Sequence, residues 1–304
     1  MIESGSLTPG IDPAAWKLPA GTALRYEMPD ARLHPLLPSY AVLDSDPTIW
    51  TGPEEWVLPG WAQLWIVLTP APIAVSLRRG DVPLGAAMVF GSTSQAMPVS
   101  ARGGVTVVVD ISPAGWARLF DTSAEAVRER ITPLEQLGRA SWARDLTALL
   151  DASDCARDVK AVLDDFFLSR LPPAHRDEAM IARIAGAIAD ETIVDSRALA
   201  AALDMDPRTV LRRTLQHFGH APKVVMRRSR FLRVLCAMLM ADTPPDFSVT
   251  PPGYHDVPHF LRDAKQFLGL TPRRFMALGT PYLRAVLRGR TDVIGAPLPM
   301  LDRL

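Results

Sequence analysis

Cysteine and long apolar runs are scarce in this chain of 304 residues. The two cysteines, Cys155 and Cys236, each fall within a helical pattern, so buried free thiols in a reducing compartment are expected rather than a disulfide. No apolar run has the length of a membrane span, because residues 61–75 are interrupted by Gln63, Pro70 and Pro72. The first residues show no signal-peptide pattern. These features predict a cytoplasmic protein that does not enter a membrane.

The chain also has few of the residues that common catalytic centres need. No glycine-rich phosphate loop, G-x-S-x-G elbow or H-E-x-x-H motif is present. Residues 1–172 contain a single histidine, His34, whereas a metal centre in a β-barrel needs several histidines and a carboxylate. We therefore expect no metal, no cofactor and no catalytic residues, and hence a protein that is not an enzyme. A metal-free β-barrel enzyme with a helical appendage stays open as an alternative.

Charge is balanced overall but unevenly distributed. Residues 1–172 hold 14 basic and 20 acidic side chains, and residues 173–304 hold 19 and 13. Residues 207–233 contain eight basic residues and no acidic one. Such a stretch is typical of a nucleic-acid-binding surface, although a solvated helix face has the same composition.

Two kinds of pattern divide the chain. Short β-branched and aromatic runs between prolines and glycines predict strands at 23–28, 40–43, 61–69, 73–77, 86–90 and 105–111. Helical periodicity follows at 113–120, 138–150 and 155–171, with Leu146, Leu149 and Leu150 as the apolar stripe of the second helix. Pro172 and Pro173 then interrupt the chain. The sequence predicts an α+β multidomain protein, with a β-barrel or sandwich and trailing helices in 1–172, an all-α domain in 173–290 and a tail in 291–304.

Tryptophan is concentrated in the first half. All seven tryptophans precede residue 143, and five precede residue 66, so this half has the bulk to line an apolar cavity. The candidate ligand-binding residues are Trp50, Trp56, Trp61, Gln63 and Trp65. Core packing is the alternative role for most of them.

In the second half, a helix, a tight turn and another helix are predicted over 197–218. Asp195 or Ser196 can cap the first helix, residues 204–206 form the turn, and Pro207 suits the first turn of the second helix. On a helical wheel, the apolar face of Pro207–Phe218 has Leu211, Leu215 and Phe218 at its centre, with Val210 and Thr214 at its margin.

The opposite side of this second helix is polar. A recognition helix places its N-terminal part in the major groove, where arginine can bond two acceptors of one guanine. Arg208, Thr209 and Arg212 are therefore candidates for contacts with bases, and Arg213 and Gln216 for contacts with phosphates. A solvated surface charge is the alternative for each arginine.

Residues 253–275 contain a second pattern of turn, short amphipathic helix, stop and restart. The string GYHDVPHFLRDAKQFLGLTPRRF resembles the second helix-turn-helix of the AraC/XylS transcription regulators, with its signature G-Y/F-x-D-x-x-H-F-x-R followed by G-x-T-P-x-x-F. The matching positions are Gly253, Tyr254, Asp256, His259, Phe260, Arg262, Gly269, Thr271, Pro272 and Phe275.

The resemblance extends to two other regions. Asp206, Pro207, Arg208, Thr209 and Arg212 match the S/D-P-R-T-x-x-R form of that family's first reading helix. Segments 35–46, 56–68 and 107–120 resemble the sensor domain of one subgroup, a cupin-like β-barrel followed by helices.

The resemblance implies a function and several partners. It implies a sequence-specific transcription regulator that binds double-stranded DNA through a double helix-turn-helix and responds to a small-molecule effector. In this family, a helix equivalent to 222–241 joins the two reading units, which would bring Arg227, Arg228, Arg230 and Arg233 near the DNA backbone. RNA polymerase and a second copy of the chain are further implied partners, with 159–167 as a candidate dimer seam.

The second unit departs from the family pattern. Pro251 and Pro252 stand where the family has a supporting helix, with Pro244 and Pro245 just upstream. A proline inside a helix costs about 3 kcal/mol, so this helix should be distorted or missing. The reading positions Val257, Pro258 and Leu261 offer no side-chain hydrogen bonds, which leaves Arg262 and Lys265 as the candidates for DNA contact. A regulator-like protein with a degenerate second unit and weakened DNA reading is the alternative. A last helix over 273–288 and a loosely ordered tail from Gly289 complete the expectation.

Overall fold

Ten strands and eleven helices are present in residues 1–50, 55–68, 73–77, 80–101 and 103–302, which the computed structural model describes. The strands are β1 Thr22–Glu27, β2 Tyr40–Ser45, β3 Glu55–Val57, β4 Ala62–Val67, β5 Ile73–Leu77, β6 Gly80–Pro83, β7 Ala87–Phe90, β8 Met97–Ala101, β9 Gly104–Ile111 and β10 Ile131–Pro133. The helices are α1 Pro113–Leu119, α2 Ala124–Val127, α3 Ala140–Asp151, α4 Val159–Arg170, α5 Glu178–Ala189, α6 Ser196–Leu203, α7 Pro207–Phe218, α8 Pro222–Met240, α9 Val257–Phe267, α10 Pro272–Ala277 and α11 Pro281–Ile294.

The strands form two antiparallel sheets. The six-stranded sheet has the order β1-β2-β9-β4-β7-β10, and the four-stranded sheet has the order β3-β8-β5-β6. Successive side chains of a strand point to opposite faces: Val107 and Val109 enter a core shared with α1, α3 and α4, whereas Val108 enters a core shared with the four-stranded sheet. The six-stranded sheet is therefore buried on both faces.

The predicted fold class is confirmed: the first half is built on antiparallel sheets and the second half is helical. All six predicted strands are present with ends shifted by a few residues, except that Thr69, the predicted end of one strand, lies outside the described residues. Strands β3, β6, β8 and β10 were not predicted, because they contain proline, glycine or charged residues and lack a continuous β-branched or apolar run. The predicted stripe of α3 is wrong at Leu149, which is exposed, whereas Ala143 is buried.

The end of the chain differs from the expectation. Instead of one helix over 273–288 and a loose tail, α10 ends near Gly279, and α11 begins at Pro281 and continues to Ile294. Gly279 has a φ of +63°, a conformation that glycine adopts without strain and that breaks the helix. Beyond α11, Met300 and Asp302 are buried, so the last described residues pack onto the protein.

The two halves share their cores. Leu58 and Trp61 of the first half pack among the residues of α5 to α11, while Ala285 and Val293 of α11 pack among residues of the two sheets. The guanidinium of Arg228 in α8 donates to Gly60 O at 3.1 Å and to Thr93 O. The division at residues 172 and 173 stays a prediction about domains.

The candidate dimer seam takes part in the core of the first half. Val159, Leu163, Phe166 and Phe167 of α4 are buried among the residues of α1, α3 and the six-stranded sheet. These apolar side chains are therefore occupied within one chain. No described helix has the length and hydropathy of a membrane span.

Candidate DNA-binding surface and ligand cavity

Three capping residues set the bounds of the first helix-turn-helix. The carboxylate of Asp195 accepts hydrogen bonds from the backbone N–H groups of Arg197 at 2.9 Å and Ala198 at 2.8 Å, which starts α6. Asp204 ends α6 in the left-handed conformation with a φ of 52°. Asp206 then accepts from the N–H of Arg208 at 3.2 Å and starts α7. Helix, turn and helix therefore follow one another without a flexible connection.

The buried face of α7 differs from the prediction. Val210, Thr214, His217 and Phe218 are buried, whereas Leu211 is 42% exposed. These residues are buried because α7 packs on α1 and α2 of the first half as well as on α8. Two of the residues on this face are polar: Thr214 Oγ1 donates to Val210 O at 2.6 Å, and His217 Nε2 lies 3.3 Å from Asp177 Oδ2.

The candidate base-reading residues lie on the opposite side of α7. Arg208 and Arg212, one turn apart, are exposed, and Thr209 is half-buried. Neither arginine side chain forms a hydrogen bond or an ion pair with any part of the chain that the structure describes. This side of α7 is open to a partner.

The candidate phosphate contacts on α7 are engaged within the protein. Arg213 Nη1 donates to Asp177 Oδ2 at 2.7 Å, and Gln216 Oε1 lies 3.4 Å from the same nitrogen. Both side chains are half-buried.

Most of the other arginines in the basic stretch are also paired. Arg227 and Arg230 both bond the carboxylate of Asp263, and Arg233 Nε lies 3.1 Å from Glu191 Oε1. Arg228 is fully buried, and burial lowers its pKa to about 10. The net charge of residues 207–233 therefore overstates the positive charge available at the surface.

The prediction for the supporting helix of the second unit is confirmed. Helix α8 ends at Met240 and α9 begins at Val257, with no helix in the described residues between them. The carboxylate of Asp256 caps α9 by accepting from the N–H of His259 at 2.6 Å. Arg262 and Lys265 are exposed, as are Pro258 and Leu261.

Asp263 was missed by sequence reasoning. It lies on the apolar face of α9 beside Phe260, Ala264 and Phe267, and it is fully buried. Its carboxylate accepts from Tyr254 Oη at 3.0 Å in addition to the two arginines of α8. An acidic residue at an apolar position of a helical stripe was the available signal, because a buried carboxylate needs a cationic partner.

A cavity of about 540 Å³ lies between the six-stranded sheet, β3, α11 and the segment 297–299. Trp50, Trp56, Gln63 and Trp65, four of the candidate ligand-binding residues, line it. Trp61 instead packs in the helical core and is 7% exposed. The structure thus brings four of the five candidates together, while their binding of a ligand stays a prediction.

A chain of hydrogen bonds joins four residues that line the cavity. Trp65 Nε1 donates to Gln63 Oε1 at 3.1 Å, and Gln63 Nε2 donates to Asp110 Oδ1 at 2.8 Å. Arg290 Nε of α11 lies 3.4 Å from Asp110 Oδ2. The indole and the amide are therefore held in fixed orientations.

Glu55 connects the cavity wall to the start of α11. Its two carboxylate oxygens accept from the N–H groups of Tyr282 at 3.1 Å and Leu283 at 3.0 Å. Burial raises the pKa of Glu55 to about 7, although these two hydrogen bonds act in the opposite direction. Sequence reasoning missed this residue because its partners lie more than 200 positions away in the chain.

Comparison with known proteins gives weak similarity to one set of structures. No family model matches the chain, and no curated protein matches it. A 1.65 Å structure of ToxT from Vibrio cholerae is 9% identical, with a TM-score of 0.44 over 75% of this chain and 96% of ToxT. An unsaturated-fatty-acid-bound ToxT from strain SCE256 is 11% identical, with a TM-score of 0.41 over 74% of this chain and 90% of ToxT. Similarity at this level establishes neither a shared family nor a shared function.

The register of α7 can be tested by two neighbouring substitutions. We expect Val210→Ala to lower the free energy of unfolding by about 1–2 kcal/mol, because it leaves a cavity in the core. Leu211→Ala should change it by less than about 0.5 kcal/mol, since this side chain is partly exposed to solvent and leaves no cavity in the core. Urea unfolding monitored by circular dichroism measures both values. A larger loss of stability for Leu211→Ala than for Val210→Ala would support the helical-wheel prediction, in which Leu211 lies at the centre of the buried face.

The burial of Glu55 predicts a pH dependence of stability. Because its pKa is about 7 in the folded protein and near 4.5 in the unfolded chain, the folded state holds the proton more tightly. The contribution of Glu55 to the free energy of unfolding is fully present below pH 4.5. It is lost as the pH rises through 7, by an amount on the order of 2 kcal/mol. Glu55→Gln removes this loss, so its stability relative to the wild type should increase between pH 5 and pH 8. Urea unfolding at the two pH values measures the difference, and an unchanged difference would contradict the assignment.

Proposed function

We propose that this protein is a sequence-specific DNA-binding transcription regulator that reads DNA with α7. The main support for this proposal is that the arginines of residues 207–233 differ in whether they have acidic partners. Arg208 and Arg212 are exposed and unpaired among the described residues, whereas Arg213, Arg227, Arg230 and Arg233 are held by carboxylates. The two arginines share one side of the N-terminal part of a helix that follows a tight turn.

The geometry of α7 fits the major groove. An α-helix fits the width of that groove, and its N-terminal residues reach the base edges. Arg208, Thr209 and Arg212 lie within the first two turns of α7, and a bidentate arginine–guanine pair gives about 1–3 kcal/mol of discrimination. Arg213 and Gln216 contact phosphates in this proposal only if the Arg213–Asp177 pair opens.

The second unit supplies phosphate contacts in the proposal. Arg262 and Lys265 are exposed on α9, whereas Pro258 and Leu261 beside them cannot donate a side-chain hydrogen bond. The missing supporting helix favours a second candidate function, a regulator-like protein with weakened DNA reading. The resemblance of residues 206–212 and 253–275 to the AraC/XylS regulators supports the first candidate over the second.

The cavity is the candidate effector site. Its walls come from the sheets of the first half and from α11, which follows α10 of the second unit after three residues. A ligand that contacts both walls would favour one position of α11 and hence of the second unit, by differential affinity for the two arrangements. We therefore propose that the protein is cytoplasmic, binds DNA and responds to a ligand in this cavity. Contacts with RNA polymerase and with a second copy of the chain follow from the family resemblance alone.

Substitution of Arg212 tests the reading role of α7. DNA sites are first selected from a random duplex library with the full chain. We expect Arg212→Ala to weaken binding to the selected site by about 1–3 kcal/mol, which is roughly fivefold to more than a hundredfold, and to relax specificity at one base position. Gel-shift titrations measure the affinity. Arg144→Ala is the matched control, because Arg144 is an exposed arginine of α3 in the first half, and it should bind as the wild type does.

The same experiment separates the two candidate functions. Selection of a salt-sensitive site that loses affinity on Arg212→Ala supports the regulator. Selection of no site would favour the regulator-like protein. A selected site with equal affinity for the wild type and Arg212→Ala would show that α7 does not read the bases.

A further inference from the structure

We propose that the cavity binds an organic cation, an amine or a quaternary ammonium on an aromatic or apolar body, with Glu55 as its counter-ion. This inference rests on the proposed function only where it concerns the effect of the ligand on DNA binding. The ligand class itself is argued from the charges, hydrogen bonds and aromatic rings of the cavity.

The cavity wall offers no available cation among its described residues. Arg290 is the only lysine or arginine in that part of the lining, and it is 2% exposed. Its Nη1 and Nη2 donate to the two carboxylate oxygens of Asp302 at 2.9 Å and 2.8 Å, and Nη1 also donates to Ala296 O at 2.6 Å. With Asp110 at its Nε, this guanidinium lies between two carboxylates and has little charge left for an anionic ligand.

Carboxylates are available in the same wall. Glu55 uses one lone pair of each oxygen for the N–H groups of α11, and a carboxylate has about four acceptor positions. Asp44 and Asp110 also line the cavity, and Gln63 and Arg290 bond the carboxylate of Asp110. An anionic ligand would add another negative charge beside these carboxylates, whereas a cation would offset the desolvation of Glu55.

The aromatic residues of the wall are suited to the same ligand. Trp50, Trp56 and Trp65 line the cavity, and the face of an indole ring attracts a cation by about 0.5–2 kcal/mol. Trp65 stacks on Phe90 with ring centroids 4.6 Å apart, and Trp56 packs edge-on against Phe275 at 5.3 Å. These two indoles are held in place before any ligand arrives, so little side-chain entropy is lost on binding.

A cation at Glu55 also acts on α11. The carboxylate of Glu55 caps the first turn of this helix, so a ligand that draws on the same oxygens changes the contact that fixes the helix to β3. Because α10 and α11 are separated by only three residues, the second unit is the first element to sense this change.

Three indole compounds that differ in charge test the ligand class. Tryptamine, indole-3-ethanol and indole-3-acetate are titrated into the full chain by calorimetry at pH 8, where Glu55 is mostly ionised. We expect tryptamine to bind at least about tenfold more tightly than the alcohol, and the acetate to bind most weakly. Glu55→Gln should reduce the affinity for tryptamine to about that for the alcohol and leave the alcohol unchanged. Glu135→Gln, which removes an exposed carboxylate of the first half, should change none of the three.

Several outcomes would overturn the inference. They are tighter or equal binding of the acetate, binding of none of the compounds, and a preference for tryptamine that persists in Glu55→Gln. Circular dichroism of Glu55→Gln establishes that a lost preference does not come from unfolding. None of these outcomes affects the gel-shift comparison of wild type with Arg212→Ala, which is measured without ligand, so failure of the ligand class and failure of the DNA-binding proposal are distinguishable.

Discussion

The return of α11 to the six-stranded sheet is the contact on which the arrangement of the two halves depends. Gly289 lies so close to Leu24 and Trp16 that a Cβ atom there would meet them at 3.1 to 3.2 Å. Tyr282 Oη donates to Ala23 O at 2.7 Å, and Arg290 joins α11 to β9 through Asp110 and to the chain end through Asp302. The helix that closes the cavity is therefore also the helix that fixes the second unit to the sandwich.

Local signals in the sequence predicted the parts of the structure that local chemistry determines. The bounds of Pro207–Phe218 were predicted correctly, because an aspartate cap, a proline in the first turn and a glycine after the last turn define both ends. The missing supporting helix was predicted from four prolines. The buried face of α7 was not, because Thr214 and His217 are polar and are buried only by the packing of α7 on other elements.

The features of the cavity that were not predicted from the sequence depend on contacts between residues far apart in the chain. The tryptophans suggested an apolar lining through their bulk alone. Glu55 and Arg290 gave no signal, because each acquires its role from a residue far away in the chain, Glu55 from the start of α11 and Arg290 from Asp110. The electrostatic character of the cavity, and with it the proposed class of ligand, is a property of the folded chain only.

Because most arginines of residues 207–233 pair with carboxylates, this stretch offers fewer basic side chains for the proposed DNA contact than its composition suggests. A buried carboxylate needs cations, so Asp263 holds Arg227 and Arg230 in the joint between α8 and α9, where they stabilise the second unit rather than face a duplex. The arginines of α7 that remain exposed for the proposed DNA contact are Arg208 and Arg212, on a helix whose other face is already fixed to α1 and α2. In the proposed function, the reading side of α7 is open while its back is docked, so an effector would not need to uncover it. Control through the cavity would instead act on α11 and change where Arg262 and Lys265 lie relative to α7, so that the ligand alters the fit of the second unit to the phosphate backbone while α7 keeps its reading position.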